Sequence, residues 1–178
     1  NVTLKDGSVL GFENAPTALE VAEKISAGLA RVALAAEING KVADIRTKIT
    51  EDSTLNILNF DTRGGKDCFN HSASHVLAQA VKRLYPECKL TIGPSVEDGF
   101  YYDFDSDTPF TREALDKLEG EMKKIVKENL KIERFTLPRE EAIKLMEEKG
   151  EPYKVLLIAR IPEGDEISFY RQGEFVDL

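Results

Sequence analysis

Apolar and polar positions along the first sixty residues alternate in short runs that are separated by turn dipeptides. Asp6-Gly7 and Asn39-Gly40 have the composition of two-residue hairpin turns, because both dipeptides tolerate a left-handed backbone. The strands predicted from this alternation are residues 2–5, 8–12, 32–38, 41–44 and 54–60. The pattern therefore predicts two hairpins and a further strand.

One helix is predicted between the two hairpins. Thr17 followed by Glu20 has the spacing of a capping box, which satisfies backbone donors at the start of a helix. The helix should extend through Ile25, and Gly28 is the residue expected to stop it. Strands on both sides of a single helix predict an α+β fold in which a small mixed sheet covers that helix.

The pattern changes to longer helices after residues 61–67, a polar and glycine-containing stretch that is expected to be a linker. Helices are predicted at residues 68–84, 111–129 and 138–149, and strands at 89–92, 99–105, 131–137 and 153–159. Residues 167–170 and 174–178 are predicted to form a closing hairpin. We expect a second α+β domain, so that the domains are 1–62 and 63–178.

The helix predicted at 68–84 contains the only two histidines of the chain, His71 and His75. Their spacing of four puts both imidazoles on one helical face. If Ala73 is the centre of the apolar stripe, the histidines fall on the opposite side, together with Lys82. The stripe itself contains Phe69, Val76, Leu77, Ala80 and Leu84. The histidines are expected either on a solvated face or in a cleft, where imidazole takes a proton from water, holds a hydroxyl or binds a metal.

The composition is that of an ordinary globular protein, with 178 residues, 42% hydrophobic and 31% charged. The net charge of -8 argues against nucleic-acid binding through bulk positive charge, although specific contact through a local patch is still compatible with it. No apolar run approaches a membrane span, and the chain begins with neither a cleavable leader nor a methionine, so we expect an intracellular piece of a longer protein. Cys68 and Cys88 are too few for a disulfide framework, which fits the reducing cytoplasm.

Three segments of the first half resemble the TGS domain, a ubiquitin-like β-grasp module shared by threonyl-tRNA synthetases, some GTPases and stringent-response enzymes. These segments are residues 3–8, 18–22 and 36–42. The module occurs in proteins of different activity, so by itself it implies a small docking or RNA-contact domain without chemistry.

Five segments of the second half closely resemble the second N-terminal domain of bacterial-type threonyl-tRNA synthetases. They are HSASH at 71–75, LTIGP at 90–94, DGFYYDF at 98–104, EPYK at 151–154 and FYRQGEFVDL at 169–178. The segments follow the order of the family and, with the TGS module, cover nearly the whole chain. Alanyl-tRNA synthetases and their free-standing editing relatives share the HxxxH motif, but the TGS module and the GFYYDF segment favour the threonyl family.

The resemblance implies an editing domain that hydrolyses serine wrongly esterified to threonine tRNA. Such a domain is needed because the loss of one methyl group changes binding by only about 1 to 3 kcal/mol, so a threonine pocket cannot strongly reject serine. The editing residues of the family fall on His71, His75, Lys154 and Asp177. His71 is expected to contact the terminal ribose or exclude the threonine methyl, and His75 with Asp177 to position the water. Lys154 is expected to polarise the ester carbonyl or to stabilise the developing oxyanion. Without the resemblance, Lys154 and Asp177 are expected to form an exposed salt bridge on neighbouring strands.

The aromatic run Phe100-Tyr101-Tyr102 is expected to belong mainly to the sheet core, with a pocket role for one tyrosine as the alternative. The pattern of the family continues beyond Leu178 into a Cys-x-x-x-His element, so we expect this chain to fold but to edit poorly. The chain also lacks the ATP-binding core of a synthetase and is not expected to make aminoacyl-tRNA.

A zinc site is a weaker expectation for the histidine helix. Cys68, His71 and His75 lie at i, i+3 and i+7, and the alanyl relatives use HxxxH with a distant Cys and His for zinc. The threonyl editing domain is thought to work without a metal, so no cofactor is expected. Ser72 stands where an HExxH protease needs glutamate, which disfavours a metalloprotease.

The expected partners are the acceptor arm of threonine tRNA, with its 3′-terminal aminoacyl-adenosine, and the remainder of the synthetase chain. Two other classes stay open. One is a non-catalytic tRNA-binding module in which both domains touch the acceptor arm and the histidines are incidental. The other is a regulatory TGS protein that senses a small ligand, although the chain has no glycine-rich phosphate loop for nucleotide hydrolysis.

Overall fold

The computed structural model describes residues 1–178 and consists of two compact units, Asn1–Asn70 and His71–Leu178. Both units contain helices and antiparallel strands, and the predicted α+β fold class is confirmed. The division between the units falls within the helix Arg63–Leu84, whereas the predicted domain boundary lies between residues 62 and 63. No helix is both long enough and apolar enough to cross a membrane.

The first unit is a five-stranded mixed sheet with two short helices. Its elements are β1 Val2–Leu4, β2 Val9–Leu10, α1 Ala18–Ile25, α2 Ala27–Val32, β3 Ala35–Ile38, β4 Lys41–Asp44 and β5 Ser53–Leu58. The strand order is β2-β1-β5-β3-β4, in which β1 and β5 are parallel and the other neighbours antiparallel. Val21 of α1 packs with Val2, Ala36 and Leu55 of the sheet, so the core lies between helix and sheet.

The predicted helix is confirmed as α1, which ends at Ile25 as expected, but a second helix that was not predicted follows it directly. The Thr17 hydroxyl accepts the backbone N–H of Glu20, whose carboxylate accepts the N–H of Thr17, as in a capping box. Ser26 then ends α1 and caps α2 by accepting the N–H of Leu29 at 3.0 Å. Gly28 was expected to end a helix and instead lies inside α2, because the serine cap starts a new turn before it.

The stretch at 61–67 is not a linker, because helix α3 begins at Arg63 and extends to Leu84. The Thr62 hydroxyl accepts the N–H of Gly65 at 3.1 Å and caps the helix. A Cβ on Gly65 would lie 1.8 Å from the carbonyl oxygen of Asn59, so this glycine permits a close approach of two backbone segments. The glycines that suggested a flexible connection therefore serve packing.

The second unit surrounds the C-terminal part of α3 with short strands and three further helices. Its elements are β6 Lys89–Leu90, β7 Ser95–Val96, β8 Gly99–Phe100, β9 Phe104–Asp105, α4 Arg112–Glu128, β10 Ile132–Thr136, α5 Arg139–Glu148, α6 Pro152–Arg160, β11 Ser168–Gln172 and β12 Phe175–Asp177. β10, β11 and β12 form an antiparallel sheet, and β11 and β12 are the predicted closing hairpin. The strand predicted at 99–105 is two short strands, since β8 pairs with β7 and β9 pairs with β6.

Helix α3 is buried on more than one face, which the single-stripe analysis did not anticipate. Val76, Ala80 and Val81 pack with Leu118 and Ile125 of α4. Ala78, on another side of the helix, packs with Leu90 and Phe175. Of the predicted stripe, Phe69 and Leu84 are exposed, whereas His75 is only 6% exposed. Because α3 packs against other elements on two sides, it has no single apolar face, and a polar side chain opposite one apolar stripe can still be buried.

Residues 153–159 form a helix rather than the predicted strand. α6 begins at Pro152, and proline is favoured in the first turn of a helix because its missing N–H would have no partner there. Lys154 and Ile158, four residues apart, are the buried members of α6. Lys154 therefore approaches its surroundings from a helix, and not from a strand beside Asp177.

Candidate functional site

The two histidines of α3 are in direct contact. Their Nε2 atoms are 2.7 Å apart, and their ring centroids are 4.5 Å apart. At this distance one nitrogen donates a proton and the other accepts it, so the two rings adopt complementary tautomers and share one Nε2 proton. His71 is partly exposed and His75 is buried. A small molecule approaching from solvent would meet His71 first.

A buried ion pair lies in the same unit. The ammonium of Lys154 is 2.7 Å from the Oδ1 atom of Asp177, and the two side chains are 4% and 1% exposed. Asp177 also accepts the hydroxyl of Tyr102 at 2.6 Å and the N–H of Leu178 at 2.8 Å. The carboxylate therefore has three donors, which offsets the cost of removing it from water.

Tyr102 connects this pair to the loop between β8 and β9. Its ring stacks on Phe104 with centroids 4.6 Å apart, and the Lys154 ammonium lies 5.4 Å from the ring centroid. A Cβ on Gly93 would be 2.1 Å from the Tyr102 ring, so only glycine allows the ring to lie here. Burial and the neighbouring Asp177 raise the pKa of the Tyr102 hydroxyl, which therefore stays protonated and donates. One tyrosine of the aromatic run thus does contact a candidate site residue.

Two aromatic rings of the closing hairpin pack against the histidines. The Tyr170 ring is 5.7 Å from His75 in an edge-on arrangement and 6.0 Å from His71. Phe175 is 6.3 Å from His75 and also edge-on. Tyr170 pairs with Asp177 across β11 and β12, so both side chains project from the same face of the sheet. The histidines therefore face the sheet surface from which Asp177 projects.

The surroundings keep both imidazoles neutral near pH 7. Burial lowers the pKa of His75 to about 4, which outweighs the opposing effect of Asp177. Burial likewise lowers the pKa of His71, and Asp177 again opposes the change while Lys154 reinforces it. The charges of Lys154 and Asp177 act on both rings, which places the four candidate residues in one electrostatic environment. Neutral imidazoles can accept a proton from water or a hydroxyl.

The second unit thus contains all four side chains singled out from the sequence, as two directly bonded pairs. His71 and His75 form one pair, and Lys154 and Asp177 form the other. The sequence analysis did not identify Tyr170 or Phe175 as neighbours of the histidines. Their alternation with Asp177 along the closing hairpin is a signal that could have indicated a shared face.

No group of three or more His, Cys, Asp or Glu side chains is arranged to hold a metal ion. The thiol of Cys68, considered above as a third ligand, lies 3.5 Å from the carbonyl oxygen of Leu34 within the first unit. The Nε2 atoms of His71 and His75 point at one another. Tetrahedral zinc with Zn–N bonds of about 2.0–2.1 Å would hold two nitrogens about 3.3 Å apart, so both rings would have to turn to bind one ion.

Known proteins resemble this chain over nearly its whole length. Residues 1–59 match the TGS domain family. Threonine–tRNA ligase of Acetivibrio thermocellus is 64% identical over 177 residues, which is 99% of this chain and 28% of the relative. The corresponding ligases of Clostridium acetobutylicum and Clostridioides difficile are 60% and 56% identical, also over 99% of this chain and 28% of each relative.

The first unit thus contains a TGS domain, and the similarity extends through the second unit. The chain spans about 28% of the length of these relatives. The resemblance to the N-terminal region of bacterial-type threonyl-tRNA synthetases is therefore confirmed over nearly the whole chain.

Proposed function

From this kinship with part of the threonine–tRNA ligases, we propose that the second unit hydrolyses the ester between serine and threonine tRNA. The observation that carries the proposal is the contact of two neutral imidazoles, His71 and His75, which pack against the sheet face from which Asp177 of the buried Lys154–Asp177 pair projects. An ester hydrolase needs a base that is unprotonated near pH 7, and the low pKa values of both imidazoles provide one.

The reaction has a simple proton balance. The oxygen of a water molecule bonds to the ester carbonyl carbon while an imidazole accepts the water proton. The bond between that carbon and the ribose oxygen then breaks, and the imidazole returns the proton to the ribose oxygen. His71 contacts the substrate because it is the more exposed ring. His75, the buried ring, accepts the shared proton from His71 or supplies it to His71.

The burial of Lys154 and Asp177 revises the roles expected for them from the resemblance. Each is bound to the other and neither reaches solvent, so neither is placed to touch an ester in this arrangement. Both are positioning residues that set the field around the imidazoles. Asp177 favours a positive charge on His71 and His75, as develops when water gives up its proton, and Lys154 limits that effect.

The TGS domain of the first unit supports the second part of the proposal, in which this unit assists binding of the tRNA acceptor arm. The net charge of -8 means that such binding depends on local contacts and not on overall charge. The proposed setting is the cytoplasm, where protein synthesis supplies the mischarged tRNA, and the remainder of a ligase chain is the proposed covalent partner.

The test is deacylation of serine-charged threonine tRNA by a full-length ligase that contains this chain. His71→Ala and His75→Ala should each lower the hydrolysis rate by about 10²–10⁴-fold, as expected for loss of a general base. The dissociation constant for uncharged tRNA should stay the same. Lys123→Met, at an exposed position of α4, is the matched control and should keep the full rate.

The alternative function is a tRNA-binding module without chemistry, which the TGS domain favours. The same two variants separate the alternatives. Loss of tRNA affinity at an unchanged hydrolysis rate would support the binding module and contradict the hydrolase. Equal hydrolysis of threonine-charged and serine-charged tRNA would also contradict an editing function.

A further inference from the structure

The row of sheet side chains that faces the histidines contains one cation, Arg134, which the proposed mechanism does not use. Arg134 of β10 pairs with Tyr170 of β11, which pairs with Asp177 of β12, so the three side chains lie side by side on one face. The Arg134 guanidinium donates to the carboxylate of Glu166, and it also interacts with the side chain of Tyr170, its partner across the two strands. The Tyr170 hydroxyl is thus held at the exposed rim, since Arg134 is 35% exposed, while the ring extends under the imidazoles.

The ring of Tyr170 is the only ring that contacts both histidines from outside their own helix. It is nearly perpendicular to His75, at 88°, and Phe175 is nearly perpendicular at 87° from β12. His75 therefore packs against the rings of Tyr170 and Phe175 as well as against His71. Rings packed edge to face favour one relative orientation, because the positive edge of one ring meets the negative face of the other.

We propose that Tyr170 is a positioning residue for the imidazole pair, and that the bond from Arg134 to its hydroxyl holds the ring in the orientation that aligns His71 and His75. The expected effect of Tyr170 on hydrolysis rests on the proposed hydrolase function, whereas its packing against the imidazoles does not. Tyr170 touches the imidazoles and acts on the ester only through them.

The alignment matters because the Nε2···Nε2 contact is directional. A shared proton lies on the line between the two nitrogens, so rotation of either ring weakens the bond. Displacement of a reacting group by about 1 Å can cost about 10²-fold in rate.

The structural part is tested by titrating the imidazole signals of the 178-residue chain by NMR. The chain has only two histidines, so His71→Gln assigns both sets of signals. The charged and titratable groups that face His75 are His71 of its own helix, Lys154 of α6, Asp177 of β12 and Tyr170 of β11. Tyr170→Met leaves His71, Lys154 and Asp177 in place and removes the aromatic ring that packs against His75.

In Tyr170→Met, the pKa of His75 should rise from about 4 toward its ordinary 6.5, by about 1 or more. Tyr170→Phe should keep the low pKa because the ring remains. The matched control is Tyr85→Met, which removes a tyrosine that packs against Phe110 and touches neither histidine. An unchanged pKa in Tyr170→Met, or an equal rise in Tyr85→Met, would overturn the proposal.

The kinetic part uses deacylation of serine-charged threonine tRNA by the full-length ligase that contains this chain. Tyr170→Met should lower kcat by about 10- to 100-fold and leave KM within about 3-fold, because the substrate site is kept and only the base is misaligned. Tyr170→Phe and Arg134→Met should each lower kcat by about 3-fold, and the double variant by the same factor, since both remove one hydrogen bond. Additive losses in the double variant would contradict the role of Arg134.

The two arms distinguish the possible failures. If Tyr170→Met does not fold, the double-variant comparison of Tyr170→Phe with Arg134→Met still tests whether the hydroxyl bond aligns the ring. If the full-length ligase does not hydrolyse serine-charged tRNA, the proposed function fails, while the NMR titration still decides whether the Tyr170 ring packs over His75 and shields it from water.

Discussion

The buried Lys154–Asp177 pair makes a sharp stability prediction. Asp177→Asn leaves an ammonium that is 4% exposed without its carboxylate, and loss of one partner of a buried pair costs about 3–5 kcal/mol. Lys154→Met leaves the carboxylate with the Tyr102 hydroxyl and the Leu178 N–H as donors. We therefore expect Lys154→Met to cost about 3 kcal/mol, at the lower end of the range, and Asp177→Asn to cost more.

The assay is urea unfolding followed by intrinsic tyrosine fluorescence. The chain has five tyrosines and no tryptophan, and every tyrosine lies in the second unit, so the signal reports on that unit alone. The control is Lys123→Met, which removes an exposed ion pair with Glu119 whose side chains are 70% and 64% exposed. Such pairs contribute about 0–1 kcal/mol, so this variant should unfold almost like the unmodified chain.

A double variant isolates the reason for the cost. Lys154→Met combined with Asp177→Leu removes both charges, and replacing a whole buried ion pair by apolar groups is often neutral or stabilising. The double variant should therefore be more stable than Asp177→Asn alone. The reasoning fails if either single substitution costs no more than Lys123→Met, or if the double variant costs the sum of its parts.

Three further predictions concern other contacts. Gly93→Ala should cost about 1–3 kcal/mol, because its Cβ would meet the Tyr102 ring at 2.1 Å, whereas Gly120→Ala, with open space around its Cβ, should be neutral or stabilising in urea unfolding. The pKa of His75 is about 4 in the folded chain and 6.5 in the unfolded chain, so the free energy of unfolding is at its full value above pH 6.5 and decreases by about 3 kcal/mol as the pH falls to 4. Urea midpoints measured against pH should show this decrease, and an equal decrease in His75→Gln would contradict it. Thr17→Ala should lower the protection of α1 amides against hydrogen exchange by about 1 kcal/mol, and unchanged protection would mean that the cap adds nothing.

The sequence was most informative where one local rule decides the structure. The capping pattern at Thr17 and Glu20 placed the start of α1, and the hairpin dipeptide at Asn39 placed the turn between β3 and β4. The left-handed backbone of Asn39 and Gly40 is the conformation that such a turn requires. These features depend on neighbours in the chain, so a linear pattern contains them.

The sequence was least informative where tertiary packing decides. The apolar run after Pro152 favoured a strand by composition, but burial every four residues at Lys154 and Ile158 makes it a helix. His75 was expected opposite the apolar stripe, yet a second layer covers that side of α3. The grouping of the four candidate residues was inferred from a family resemblance, because no local pattern indicates that positions 75 and 177 face one another.

The ion pair also has a consequence for synthesis of the chain on the ribosome. Lys154 and Asp177 are separated by a helix end, a loop and a hairpin, so the nascent chain exposes the lysine well before its carboxylate partner leaves the exit tunnel. Until then α6 cannot bury its ammonium without a large electrostatic cost. The second unit is therefore expected to complete its folding only after translation has passed the final strand, whereas the first unit, whose sheet is finished at Leu58, can fold much earlier.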